Sequence, residues 1–442
     1  MMDSRLRSRK SLALGALLFV HIAVCCVSLI EVARGLPGTY DPAQFHIFYH
    51  PSELRSAVIA VAALAPFALL FVFAQFSFGY FAGFFLYTMI LGYLWLGRLT
   101  DLVYDHGLAE LSAAASAIAF LLPCLLITSP IRQRYVLSIA AFDRLLIAIV
   151  LLGGATIVVG ATYGFQFVSI EQIYEYRDRL GLPPALGYAI GMSSSALLPF
   201  AFAGFIARKA YWRAGAVLPL LFLFYPITFS KLALFAPLWL VGLLLLSKLF
   251  EARIAVVLSL LAPIAAGLLL VHLPPANGLP YLYFSVVNFR MVAIPSVAMD
   301  VYNDFFARHD HTWFCQISFL KHLMTCPYSD PLSIVMQKAY KLGNFNASLF
   351  ATEGVASVGS WLAPVSAFGC GLLIALANRL SAGLPAGFIL VSGAVIPQVL
   401  LNVPLTTALL THGVGLLFLL WYVTPRAIFE PAPAAQPAAQ AA

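Results

Sequence analysis

Charge is what this chain has least of. Only 10% of its 442 residues are Asp, Glu, Lys or Arg, while 62% are hydrophobic. A soluble domain carries about a quarter charged residues, so a water-soluble globular class is excluded. Nucleotide machinery is missing too. No G-x-x-x-x-G-K-[ST] phosphate loop occurs and no glycine fingerprint follows a strand-like run, which argues against an ATP-driven pump. Cysteine is sparse, with six residues in all. Four of them, Cys25, Cys26, Cys124 and Cys370, fall within apolar runs and read as small apolar residues. The net charge of +7 sits in short loops and leaves no nucleic-acid footprint, so no nucleic-acid partner is expected.

What the chain does have is apolar runs of spanning length. Windows of about 19 residues give twelve candidates, at roughly 11–31, 56–76, 78–97, 110–128, 145–163, 186–206, 214–229, 232–247, 254–272, 354–377, 386–402 and 405–423. The expected fold is an all-α, polytopic membrane helix bundle. Arg5, Arg7, Arg9 and Lys10 precede the first run without a convincing cleavage site, so that run is read as an uncleaved span. With the N-terminus in the cytoplasm, fourteen Lys and Arg fall inside, Arg132, Arg134, Arg379 and Arg426 among them. Leaving out the long 273–353 insert, six fall on the opposite side, Arg34, Arg55, Arg98, Arg177, Arg179 and Lys231. That asymmetry fits the positive-inside rule and puts both termini in the cytoplasm. The organisation read from the sequence is therefore spans one to nine over 1–272, an external loop with short amphipathic helices over 273–353, the last three spans over 354–424, and a disordered cytoplasmic tail over 425–442.

The 273–353 insert is the one long polar stretch. Ile294-Pro295-Ser296 reads as a helix start, and the helix would carry Asp300, Tyr302 and Asp304. Asp300 and Asp304 are four apart and share a face. They read either as a pair that binds a cation, acts as a base or accepts sugar hydroxyls, or as a solvated helix face. His309-Asp310-His311 reads as a loop, because two histidines without a third partner are a weak metal signal; no metal and no cofactor are expected. Cys315 and Cys326 are the two cysteines placed outside the bilayer, where a bridge is permitted. Asp330-Pro331 opens a second amphipathic helix that ends at Gly343. Asn344, Asn346 and Glu353 follow in a small-residue stretch that reads as sugar hydrogen bonding, as tight helix packing, or as both.

Three further residues stand out. Arg290, just past an aromatic run, offers a planar fork for a diphosphate or snorkels to lipid phosphate. Lys231 sits at the outer turn of two short, proline-broken spans, 214–229 and 232–247, which border a cavity or form an ordinary hairpin. His412 lies inside the last span and is either functional or a neutral packed histidine.

On these residues the chain resembles the Wzy-type polymerases of bacterial oligosaccharide repeat units. The elements carrying the resemblance are Arg290 followed by Pro295, the run Asp300-Val-Tyr302-Asn-Asp304-Phe-Phe306, Asn346 to Glu353 leading into Gly354 and Gly359, Ser230-Lys231, and one large late external loop. The resemblance implies a metal-independent glycosyltransferase of GT-C type in the bacterial inner membrane. Its substrate would be oligosaccharide on undecaprenyl diphosphate, with membrane lipid around it and a chain-length regulator and a flippase as partners. It makes Arg290, Glu353, Asp300 and Asp304 catalytic candidates and Lys231, Asn344, Asn346, Tyr302 and His412 binding candidates. An O-antigen ligase shares this layout. A lipid-phosphate-sugar transferase would instead rely on Glu31 or Asp41. A transporter or flippase would need ionisable residues in several spans and internal symmetry, and neither is evident.

Overall fold

The computed structural model describes residues 2–36, 40–169, 176, 181–273, 278–317, 320–343 and 345–430. Among them the chain is all-helical, with two isolated β-bridges, Leu36 to Tyr40 and Ile47 to Thr100. The main helices are α1 Met2–Arg34, α2 Pro51–Phe73, α3 Phe78–Leu96, α4 His106–Leu126, α5 Ile139–Ala161, α6 Pro184–Ala207, α7 Tyr211–Leu223, α8 Lys231–Leu249, α9 Ala252–His272, α10 Leu279–Phe306, α11 Leu332–Tyr340, α12 Phe350–Ser381, α13 Ala386–Ser392, α14 Ile396–Asn402, α15 Leu405–Thr411 and α16 Val414–Val423. Ten of the described helices are long and apolar enough to cross a membrane, and α15 with α16, bent by 64°, make an eleventh if taken as one span.

Twelve spans were expected, and the difference has local causes. The 214–229 run yields α7, whose 13 residues reach only about 20 Å, short of a hydrocarbon core of about 30 Å. It stops before Pro226, and Phe229 turns the chain with φ 49°. The 386–402 run splits into α13 and α14 at Gly393, where the helical ladder breaks.

α3 lies at the centre and is buried along its whole length. Ser77 caps it, accepting from Tyr80 N at 3.1 Å. With lipid on the outside, apolar surface alone does not hold helices together, so close backbone approach and buried hydrogen bonds do that work. Asn378 of α12 is one such bond: its Oδ1 accepts from Gly79 N and its Nδ2 donates to Cys124 O, both at 2.7 Å. The approach requires glycine, because a Cβ on Gly79 would sit 2.2 Å from the Cys124 carbonyl oxygen.

The insert is the main departure from expectation. Its first helix does not begin at Ile294. α10 begins at Leu279 and continues for 28 residues through a π-helical stretch, Ser285–Ala293. That widened register immediately precedes Pro295, whose missing N–H and bulky ring would disturb a regular ladder. α10 is long enough to cross a membrane, yet its partners lie towards one end of the bundle. Asn288 Nδ2 donates to Ser28 Oγ and to Ile264 O, both at 2.9 Å. Ser296 Oγ donates to Met89 O at 3.0 Å, Asn303 Nδ2 to Tyr93 OH at 3.3 Å, and Phe289 stacks on Tyr40 at 3.9 Å. Ser28, Ile264, Met89 and Tyr93 all lie in the C-terminal halves of their helices. α10 therefore wedges across the end of the bundle that the charge count assigns to the outside. Sequence windows missed it because Asn288, Arg290, Asp300 and Asp304 dilute its hydropathy, while the polar groups of Asn288, Asp300 and Asp304 meet neighbours inside the protein.

Candidate functional site

The C-terminal half of α10 is buried on all sides, including Asp300, Asn303 and Asp304. A carboxylate so placed needs donors, and the neighbouring segments supply them. Tyr104, in the turn between α3 and α4, donates its hydroxyl to Asp300. The Tyr104 and Tyr93 hydroxyls meet at 3.2 Å, and Asn303 joins them. Burial pushes the Tyr104 phenol well above its ordinary range, so it stays a donor. Asp304 Oδ2 accepts from Arg308 and from Tyr340 at the end of α11. Its Oδ1 is buried and unpartnered. Burial, with Asp304 beside it, raises the Tyr340 phenol as well.

Arg308 is the hinge between this interior and the surface. Its side chain is 57% exposed while that of Asp304 is 2% exposed. A buried carboxylate thus holds a guanidinium on a side chain that is itself largely exposed. Arg308 lines a cavity of about 770 Å³ together with His309, Asp310, His311, Trp313 and Cys326.

Each wall of that cavity has a cause. Gly359 in α12 has φ 73° and ψ 168°, which breaks the ladder. The Ala356 and Ser357 carbonyls just before it are then open to outside donors. Thr312 N donates to Ala356 O at 2.8 Å and Trp313 N to Ser357 O at 3.0 Å, fastening the 311–313 segment to α12. Trp313 and Phe314 both take positive φ, 48° and 66°, a strained conformation for bulky residues. Cys315 and Cys326 are disulfide-bonded, with Cα atoms 5.4 Å apart, and the bond closes the far rim. His309 stacks on Phe305 at 3.9 Å, and its Nδ1 lies 2.8 Å from Phe305 O. A carbonyl only accepts, so Nδ1 is the donor here and Nε2 is the ring nitrogen left for another partner. Burial lowers the affinity of His311 for a proton, and its Nδ1 is buried without a partner.

The residues singled out from the sequence divide accordingly. Asp300 and Asp304 are brought together, but buried and bonded rather than lying on a solvated face. Tyr302 is buried among helices and lies within electrostatic reach of Glu353. Glu353 itself is 4% exposed. Its Oε1 accepts from Thr406 N at 2.8 Å and Thr406 Oγ1 at 2.7 Å, and Oε2 accepts from Thr352 Oγ1 at 3.0 Å. That setting suits a pin between α12 and α15 and not a base, which needs an open oxygen. Arg290 lies in the π-helical stretch, ten residues and roughly 15 Å along the axis from Asp300. Lys231 opens α8, which packs on α7, α9 and α13, away from this cluster. His412 sits at the α15–α16 bend, with Nδ1 2.8 Å from Thr411 Oγ1. Asn346 is exposed, and Asn344 lies outside the described residues. His309 and His311, expected in a loop, line the cavity, and Arg308, Tyr104, Tyr340 and Trp313 join the site without being singled out by sequence pattern. Arg308 carried a readable signal, four residues after Asp304 on the same helical face.

Among the described residues no group of three or more His, Cys, Asp and Glu is arranged to hold a metal ion. Set against known protein families, curated proteins and solved structures, the chain matches none.

Proposed function

We propose that this protein is a membrane-embedded glycosyltransferase that polymerises undecaprenyl-diphosphate-linked oligosaccharide repeat units at the outer face of the bacterial inner membrane, with both termini in the cytoplasm. One observation carries the reading: one cavity combines an arginine paired with a buried carboxylate, two histidines and an exposed tryptophan. Those are the groups the reaction needs. The acceptor sugar hydroxyl attacks the anomeric carbon of the donor, a new C–O bond forms, and the old C–O bond to diphosphate breaks with the electron pair leaving on the diphosphate. The hydroxyl proton goes to a base.

In this reading Arg308 meets the leaving diphosphate, where charge develops in the transition state. Its planar fork suits phosphate oxygens, and Asp304 with Tyr340 holds it in one orientation. His309 Nε2 takes the proton. Trp313 offers a flat apolar face to a sugar ring. The reading asks for no cofactor, and the GT-C-type architecture, the chain-length regulator and the flippase partner belong to it as expectations.

Deletion of the gene followed by glycan profiling tests it. Accumulated single repeat units, rescued by the wild-type gene and not by Arg308→Ala at equal membrane level, is the expected outcome. Full-length but unattached polymer would instead make the protein a ligase. An unchanged glycan profile would overturn the reading and point to transport.

A further inference from the structure

The opposite end of the bundle, which the charge count assigns to the cytoplasm, brings four arginines together. Arg132 and Arg134 stand in the loop between α4 and α5, Arg379 near the end of α12, and Arg426 just past α16. Hydrogen bonds knit these three segments into one surface. Ile131 N donates to Arg379 O at 3.2 Å, and Arg379 Nε donates to Ser129 O at 3.1 Å. Tyr422 OH donates to Arg132 O at 3.3 Å and accepts from Arg134 N at 2.8 Å, while Gln133 Nε2 donates to Tyr422 O. The Arg426 guanidinium donates to the carbonyls of Trp421, Thr424, Leu380 and Ala382. The residues expected to begin a free tail are thus docked.

Among the described residues none of the four makes an ion pair. Arg379 and Arg426 use their donors on backbone oxygens and act as struts. The guanidinium groups of Arg132 and Arg134 have no side-chain partner among the described residues. The backbone between them is pinned by Tyr422 and Arg379, so two open forks are held at one place. They flank a cavity of about 560 Å³ lined by Ile131, Arg132, Gln133 and Arg134. Like charges gathered on one surface repel one another, and a bound anion relieves that repulsion.

The surroundings name the anion. The loop joins two helices of spanning length, so it lies where the chain leaves the bilayer. Leu126, at the end of α4, is 64% exposed, and Tyr135, next in sequence to Arg134, is 76% exposed. A soluble anion would use the arginines and leave that apolar flank unused. A phospholipid uses both, with its phosphate on the guanidinium forks and its acyl chains along the flank. We propose that Arg132 and Arg134 form a binding site for the phosphate headgroup of an anionic phospholipid of the adjoining leaflet. The inference does not depend on the function proposed for the outer cavity.

The test uses the purified full-length protein. Native mass spectrometry after exchange into zwitterionic detergent, with phosphatidylglycerol titrated in, reads binding directly. Each arginine near an anionic lipid is worth about fivefold in affinity. The double variant Arg132→Gln/Arg134→Gln is therefore expected to lose roughly 25-fold in phosphatidylglycerol affinity, and Arg144→Gln, in an arginine outside the cluster, to lose none. Phosphatidylcholine should bind equally weakly to all three proteins. An unchanged affinity in the double variant overturns the site. Inorganic phosphate binding as tightly as phosphatidylglycerol overturns the lipid assignment. If the double variant is poorly folded, the single variant Arg134→Lys is expected to lose affinity severalfold at normal melting temperature, because an ammonium does not reproduce the fork, and no loss there counts against the proposal.

Discussion

Gly359→Ala is the sharpest perturbation of the outer cavity. Gly359 has φ 73° and ψ 168°, a region that only glycine enters freely, and placing an L residue there costs about 1–3 kcal/mol. A second cost comes from a neighbour 48 positions away in sequence. The added Cβ would lie 2.7 Å from His311 Nε2, inside contact distance. The imidazole has to swing, but its backbone is tied down by the Thr312 and Trp313 bonds to α12. Forcing the ring off its rotamer adds roughly 0.5–1.5 kcal/mol. The expected total is about 2–4 kcal/mol. Thermal unfolding of the single variants Gly359→Ala and His311→Ala, and of the pair, separates the parts. The clash is absent when His311 is already Ala, so the pair should be more stable than the sum by roughly 0.5–1.5 kcal/mol, with the backbone cost remaining. Strict additivity would refute the contact, and a Gly359→Ala protein as stable as wild type would refute the strain.

Three further outcomes follow from the same geometry. His311 holds its proton less well in the fold than in an unfolded chain, whose histidine titrates near 6.5. The unfolded state therefore gains the proton first as pH falls, so this contribution to stability is complete above about 6.5 and is lost on acidification below it; His311→Gln should remove that part of the pH dependence of melting, and an identical pH profile would contradict the assignment. Glu353→Ala strands the two Thr406 donors, while the Thr352 hydroxyl keeps the Ser348 carbonyl, and should cost roughly 2 kcal/mol or more, whereas Glu353→Gln should keep transfer activity; a loss of about 100-fold in a normally stable Glu353→Gln protein would restore Glu353 as a base. Replacing Cys315 and Cys326 with Ser opens a short loop and should cost about 3 kcal/mol, seen as a lower melting temperature that reductant reproduces in the wild type; unchanged melting would mean the loop is held by other contacts.

The apolar spans were legible because a lipid-facing helix has to be apolar for about 20 residues, and nine of the ten such helices among the described residues, all but α10, stand close to the windows read from hydropathy. α10 was not legible as a whole. Its carboxylates meet Tyr104, Arg308 and Tyr340 inside the protein, and hydropathy cannot tell a polar group that faces water from one that faces a partner. Register was equally hidden: the π-helical stretches at Ser285–Ala293 and Phe350–Ala356 carry no distinctive periodicity. The cavity was half legible. The polar insert and the Asp300, Asp304 pair pointed to the right region, while the contact of His311 with Gly359 depends on a helix break that sequence spacing does not reveal. Arg290 drew attention by its boundary position. Arg308 had the better setting because a buried acid lies one turn before it.

The most direct measurement is transfer by the purified protein in liposomes supplied with an undecaprenyl-diphosphate-linked oligosaccharide. The expected result is a ladder of lengthening glycans with the wild type. Arg308→Ala should slow it by about 100-fold or more, the scale for losing a donor aimed at developing charge, and should slow it more than Arg290→Ala does. A wild-type protein that makes no ladder, or an Arg308→Ala protein that makes one at the wild-type rate, would contradict the assignment of this cavity as the site of glycosyl transfer.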